Sequence, residues 1–307
     1  MPWYFIVIIV FLASIVLSVF ISLPLYLAIK TTHPKCGTRE EVSVAWAKER
    51  FSTDYDKSLR QDIIFKMNDG YIIHGDYMLY PGSNKFVVCC HGYLVNREAE
   101  LEYGLIFYRL GYNVVLYDER RHGDNETTLV TMGYLESLDL NQIIDQLKIK
   151  FGSDISIGLH GVSMGANVAM QVNRYRDDIK FIIEDCGYIS FVSVLKGQIN
   201  HGHLPGAIFG PLASLTCKMM YGFYFKDTSF DDIIEDIKAP VLIFHGDIDE
   251  AVPVSDAYTL NERLKCMHKM VIYHSLHANC LTDYKNEYER EVAEFLNLID
   301  QQWFEHN

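Results

Sequence analysis

Basic residues are scarce in this sequence. Its 307 residues carry 27 lysines and arginines against 40 aspartates and glutamates, a formal net charge of −13, and no Lys/Arg-rich run. Nucleic acid needs a concentrated basic surface, so no nucleic-acid partner is expected. A disulfide framework is lacking too. The seven cysteines are an odd number and include the adjacent pair Cys89-Cys90 in an apolar run, which agrees with a reducing compartment. Internal repeats and low-complexity tracts are absent. What is present is a composition 49% apolar and 22% charged, which suits a globular chain with a substantial core.

Charge is missing altogether from Met1 to Ile29, where "WYFIVIIVFLASIVLSVFISLPLYLAI" runs on from Trp3. That length exceeds the roughly 20 residues needed to cross a bilayer core. A cleavable signal peptide would show a charged n-region, a shorter apolar core and a small-residue cleavage site, and none is found. The segment 1–30 is therefore expected to be a single-pass membrane anchor, with Pro24 as a candidate kink. Lys30, Lys35 and Arg39 follow the span closely, and the positive-inside rule then places the large domain in the cytoplasm.

Residues 31–60 read as a polar linker leading into a short helix. Beyond them, "QDIIFKM" and "YIIHGDYMLY" are strand-like and separated by Asn68-Asp69-Gly70, whose Asp-Gly favours a tight hairpin. Six apolar runs then alternate with helix-length patterns: "KFVVCCHG", "YNVVLYD", "ISIGLHG", "KFIIEDC", "PVLIFHG" and "KMVIYH". Continuous apolar strands separated by helices predict an α/β fold with a mostly parallel central sheet buried on both faces. In such sheets ligands bind at the carboxyl ends of the strands. Residues 187–237 break the rhythm with aromatic and apolar segments but no clear strand, and are expected to form a helical insertion acting as a lid.

One strand end carries a nucleophile signature. "HGVSMGA" contains G-x-S-x-G centred on Ser163, preceded by an apolar strand and followed by the helix-like "GANVAMQVNRYR". That is the strand–turn–helix context of a nucleophile elbow. The helix start behind Ser163 offers free N–H groups, and the elbow's geometry makes the backbone of Met164 one oxyanion donor. A serine hydroxyl needs a histidine to take its proton and a carboxylate to orient that histidine, in the chain order Ser, acid, His. Asp247, Asp249 and Glu250 follow "PVLIFHG", Asp185 ends "KFIIEDC", and His274 and His277 follow "KMVIYH". The residues alone leave these alternatives open.

From about residue 60 to 304, "CCHGYLVN", "GYNVVLYDERRHGDNE", "TMGYLESLDL", "GVSMGA", "VLIFHGDIDEAVP" and "HANC…YEREVAEFL" resemble the motifs of the α/β-hydrolase superfamily. The likeness is to serine aminopeptidase-like and esterase-like hydrolases with an N-terminal membrane segment, common in Gram-positive bacteria. The resemblance implies an α/β-hydrolase domain over 61–307 with its lid at about 187–237. It implies Asp249 as the acid, in H-G-x-x-D-x-x-V-P, and His277 as the base. It also implies the backbone N–H of Tyr93 as the second oxyanion donor, with His91-Gly92 shaping that turn. Asp118, Arg120, Arg121 and His122 resemble a structural turn, although Asp124-Asn125 stands where a serine is usual.

The function so implied is hydrolysis of a small-molecule ester, amide or lipid-derived substrate through an acyl-enzyme, without cofactor or metal. A peptidase acting on short peptides and a non-catalytic binding module are the alternatives. His201 and His203 are too few for a metal site. Cys90 and Cys280 are expected to be buried bystanders, and Met219-Met220 to belong to the lid.

Overall fold

The computed structural model describes residues 2–49 and 55–306; residues 50–54, inside the expected linker, lie outside the described residues. Helix α1 runs from Trp3 to Thr32 without interruption at Pro24. It is long and apolar enough to cross a membrane, and its most apolar stretch is not buried by the rest of the chain. Every described residue up to Ser22 is exposed, although Phe20 already touches Phe209; from Leu23 the helix is partly buried by the domain. Helix α2 (Arg39–Glu49) follows within the segment expected as a linker.

The domain then builds β1 (Gln61–Lys66), β2 (Ile72–Met78), β3 (Lys85–Cys90), α3 (Leu101–Arg109), β4 (Asn113–Tyr117), α4 (Tyr134–Phe151), β5 (Ser156–Val162), α5 (Met164–Gln171) and β6 (Ile182–Asp185). Helices α6 (Phe191–His201) and α7 (Gly206–Tyr221) come next, then β7 (Val241–Gly246), α8 (Ser255–Arg263), β8 (His268–Tyr273), α9 (Cys280–Asp283) and α10 (Lys285–His306). The eight strands form one sheet in the order β1-β2-β4-β3-β5-β6-β7-β8. The pairings β1–β2 and β2–β4 are antiparallel, and all others are parallel. Gly70, at the β1–β2 turn, has φ +87°, a conformation glycine adopts without steric cost.

Helices cover both faces of the sheet, which is why the central strands read as unbroken apolar runs. Leu140, Ile143, Ile144 and Leu147 of α4 join Ala257 and Leu260 of α8 on one face. Ile106 and Phe107 of α3 join Val292, Phe295 and Leu296 of α10 on the other. A third cluster brings Ala28 of α1 together with Phe191, Val194 and Leu195 of α6 and Phe209, Ala213 and Cys217 of α7. The interval between β6 and β7 is thus helical, and it shares its core with the end of α1.

An arginine-centred network fastens the start of the domain. Buried Arg97 bonds Asp76 at 3.0 Å and also pairs with Asp118 and Asp124, while Arg39 of α2 reaches Asp76 and Glu98 at 2.9 and 2.5 Å. Buried charges persist only when paired in this way.

Candidate active site

The strand end after β5 is forced into its shape by two glycines. A Cβ on Gly161 would lie 2.3 Å from the Gly165 carbonyl oxygen, and one on Gly165 would lie 1.9 Å from that of Cys90. With both side chains absent, α5 begins immediately against β3. Ser163, between them, adopts φ +56° and ψ −112°, a costly backbone that its surroundings hold in place. Its N–H donates to the Asp185 carbonyl on β6 at 2.8 Å, pinning the elbow to the neighbouring strand.

Three side chains from three strand ends meet there. His277 Nε2 lies 2.9 Å from Ser163 Oγ, and His277 Nδ1 lies 2.6 Å from Asp249 Oδ2. The other Asp249 oxygen accepts the N–H groups of Ala251 and Val252, both at 2.8 Å. Those donors hold the carboxylate in one orientation. His245 Nε2, 3.1 Å from the Val252 carbonyl and 3.5 Å from Asp249 Oδ2, braces the same loop.

The other sequence candidates fall elsewhere. His274 pairs with Asp247 at 2.9 Å on the surface. Asp185 is fully buried beside these three side chains, and burial pushes its carboxyl up to about 6 against the opposing influence of His160, Tyr288 and His277. Glu250 is exposed.

Two backbone N–H groups expected from the sequence as oxyanion donors lie beside Ser163. Among the described residues, neither Met164 N–H nor Tyr93 N–H donates to a protein acceptor. The Tyr93 amide is set by His91. The Glu119 N–H donates to His91 Nε2 at 2.8 Å, so the neutral ring carries its proton on Nδ1, which lies 2.7 Å from the Gly92 carbonyl. Burial holds this imidazole well below the usual histidine range, which keeps it neutral. Fixing the Gly92 carbonyl fixes the planar Gly92–Tyr93 peptide, and so the direction of the Tyr93 N–H.

The neighbouring turn is scaffold by its contacts. Arg120 forms a two-point pair with Asp139 at 2.5 and 2.7 Å. His122 accepts the Leu94 N–H and bonds the Arg120 carbonyl. Arg121 binds the Pro34 carbonyl at 2.9 Å.

Two sets of His, Cys, Asp and Glu side chains come within mutual ligand reach: Cys186 with Asp249 and His277, and Cys89 with Glu100 and His160. Metals take deprotonated ligands. Burial raises both thiols well above their usual range and does the same to Glu100. His201 and His203 are exposed at the turn between α6 and α7.

Ser163 opens onto two cavities. One, of about 430 Å³, is walled by Leu23, Leu27 and Thr31 of α1 and by Phe191, Leu195 and Ile199 of α6. The other, of about 210 Å³, is walled by Trp46, Val95 and Tyr103. The α1 and α2 wall residues were not singled out in the sequence. Uniformly apolar α1 carries no periodicity to mark one face, and Trp46 sits in a polar segment with no motif around it.

These features define the fold of the α/β hydrolases, and solved members match it. An esterase of Pyrococcus furiosus superposes with a TM-score of 0.65 at 24% identity, over 81% of this chain and 97% of that one. The esterase EaEST of Exiguobacterium antarcticum gives 0.56 at 18% identity, over 76% and 98% of the two chains. Within that fold, the chain belongs to the family of the uncharacterized protein YqkD of Bacillus subtilis, to which it is 32% identical over 235 residues, 75% of this chain and 77% of that protein. No family model matches the sequence.

Proposed function

We propose that the protein is a membrane-anchored serine hydrolase that cleaves carboxylic esters through an acyl-enzyme. The observation that carries this reading is the unbroken relay from Ser163 Oγ through His277 to a buried, doubly anchored Asp249. Ser163 Oγ attacks the ester carbonyl while His277 Nε2 takes its proton, and Asp249 steadies the imidazolium through Nδ1. The N–H groups of Met164 and Tyr93 hold the oxyanion. His277 then returns the proton to the departing alkoxide, leaving an acyl-serine and a free alcohol. Water, deprotonated by His277 in turn, releases the acid and restores the serine.

The apolar lining of the larger cavity favours an acyl ester over a peptide. An aminopeptidase must hold a free α-ammonium; among the described residues no aspartate or glutamate lines that cavity, and Glu100, which lines the smaller one, is raised by burial toward its neutral form. Helix α1 serves as the single-pass anchor, and Lys30, Lys35 and Arg39 after it favour a cytoplasmic domain. Helices α6 and α7 serve as the lid.

Labelling of the full-length, detergent-solubilised protein with a fluorophosphonate probe tests the chemistry. Wild type is expected to label, and Ser163→Ala to lose the label while keeping its helical circular dichroism. A folded wild type that takes no label would sink the reading.

A further inference from the structure

The end of α1 is joined to the catalytic groups as well as to the lid. The Tyr93 hydroxyl donates to the Thr31 carbonyl at 2.9 Å, and the Val130 N–H donates to the Thr32 carbonyl at 2.8 Å. Carbonyls that a helix end leaves unpaired are thereby used to fix α1 beside the oxyanion loop. Helix α7 runs parallel to the last turns of α1: Phe20 packs on Phe209 with centroids 5.3 Å apart, and His33 packs on Tyr221 at 5.1 Å.

That register sets the level of the pocket relative to a bilayer. The exposed stretch Trp3–Ser22 is about 30 Å long, the thickness of a hydrocarbon core. Its end meets Leu23, where the larger cavity begins. With Phe209 level with Phe20, exposed Ile208 at the start of α7 and exposed Leu204 in the turn before it sit beside the last turns of that stretch. From Leu23 to Thr31 the cavity wall follows α1 for about 12 Å, ending at Tyr93 and Ser163. An apolar channel therefore leads from the membrane surface to the nucleophile, with the anchor helix as one side of it.

We infer that α1 is a substrate-binding element, and that the channel takes the acyl chain of single-chain lipid esters directly from the bilayer. One channel of this volume accommodates one chain, and the 210 Å³ cavity across Ser163 takes the alcohol portion. The inference rests on Ser163 being the nucleophile and on α1 being a membrane span.

The test uses full-length protein in lipid nanodiscs and a long-chain alkyl fluorophosphonate carrying a diazirine at the chain end. After reaction and irradiation, the crosslink is expected on the α1 segment Leu23–Leu27 or on the facing α6 residues Leu195 and Ile199. Failure to label Ser163 would count against the nucleophile assignment, whereas labelling with the crosslink outside these two helices would overturn the channel. Leu27→Trp, which fills the channel, supplies the kinetic counterpart. Its kcat/KM for p-nitrophenyl decanoate relative to p-nitrophenyl acetate is expected to fall about tenfold or more, since each methylene kept out of an apolar site costs roughly fourfold. Val16→Trp, on the lipid-facing part of α1, is expected to leave that ratio unchanged. An unchanged ratio in Leu27→Trp would overturn the channel too; should that variant not fold, the crosslink in wild type decides.

Discussion

Two histidine–aspartate pairs lie a few residues apart on the same two loops. His277 meets Asp249 at 2.6 Å and His274 meets Asp247 at 2.9 Å, so pairing alone does not distinguish them. Their surroundings do. Asp249 is sealed from solvent and accepts two backbone N–H groups, while Asp247 and His274 are 45% and 72% exposed. His277 also has the Ser163 hydroxyl on its other nitrogen. An exposed pair is worth little because water competes for both partners, whereas a buried and fully bonded carboxylate can set the tautomer and direction of a ring. Function here follows from what surrounds the contact.

The comparison breaks most visibly at Asp249. In Asp249→Asn the side-chain oxygen can still accept from Ala251 and Val252, but an amide N–H₂ then faces His277 Nδ1. That favours the tautomer whose Nε2 carries the proton and cannot accept one from serine. Steady-state ester hydrolysis is expected to lose about 10³–10⁴ in kcat with the fold intact. A comparable loss in Asp247→Asn would reverse the assignment.

Much of the candidate site's geometry was legible because its constraints are local. Gly161 and Gly165 have no room for a side chain, and that requirement writes the G-x-S-x-G pattern directly into the chain. The strands read correctly because burial on both faces leaves continuous apolar runs. Picking Asp249 and His277 needed the family resemblance, since loop residues far apart in sequence converge only through the sheet. That α1 lines the cavity at Ser163 was not legible at all. A helix apolar on every side shows no difference between residues facing lipid and residues facing a cavity, so Leu23 and Leu27 look like Val16.

Asp185 sharpens the same contrast from the inside. Like Asp249 it is sealed from solvent, yet its carboxyl is pushed up from an ordinary 3.8 to about 6, with burial as the largest cause. A raised acid favours the protonated form in the folded state, so its favourable contribution is complete below pH 3.8 and is lost as pH rises through 6. Asp185→Asn removes this dependence. Its thermal midpoint is expected to fall less than that of wild type between about pH 4 and pH 7, by an amount equivalent to at most about 3 kcal/mol. An unchanged pH slope would mean that the carboxylate is ionised and compensated in the fold. Ester hydrolysis is expected to suffer far less than in Asp249→Asn, because Asp249 and not Asp185 is bonded to His277 Nδ1.

The smallest effect is expected at the surface pair. His274→Ala removes an imidazole that is mostly in water and whose Nδ1 contact with Asp247 is open to competition. The side chain reaches neither Ser163 nor His277 in any hydrogen bond, and the loop keeps its course through the Asp247 N–H to Tyr273 carbonyl bond, which involves backbone atoms only. Stability is therefore expected to stay within about 0.5 kcal/mol of wild type, and ester kcat/KM within about twofold. Measured in parallel with His277→Ala, which removes the proton acceptor itself, the two variants should differ by orders of magnitude in rate although they remove the same group three positions apart. A substantial loss in His274→Ala would mean that the outer pair supports the inner one through the shared loop, and burial would no longer be what separates them.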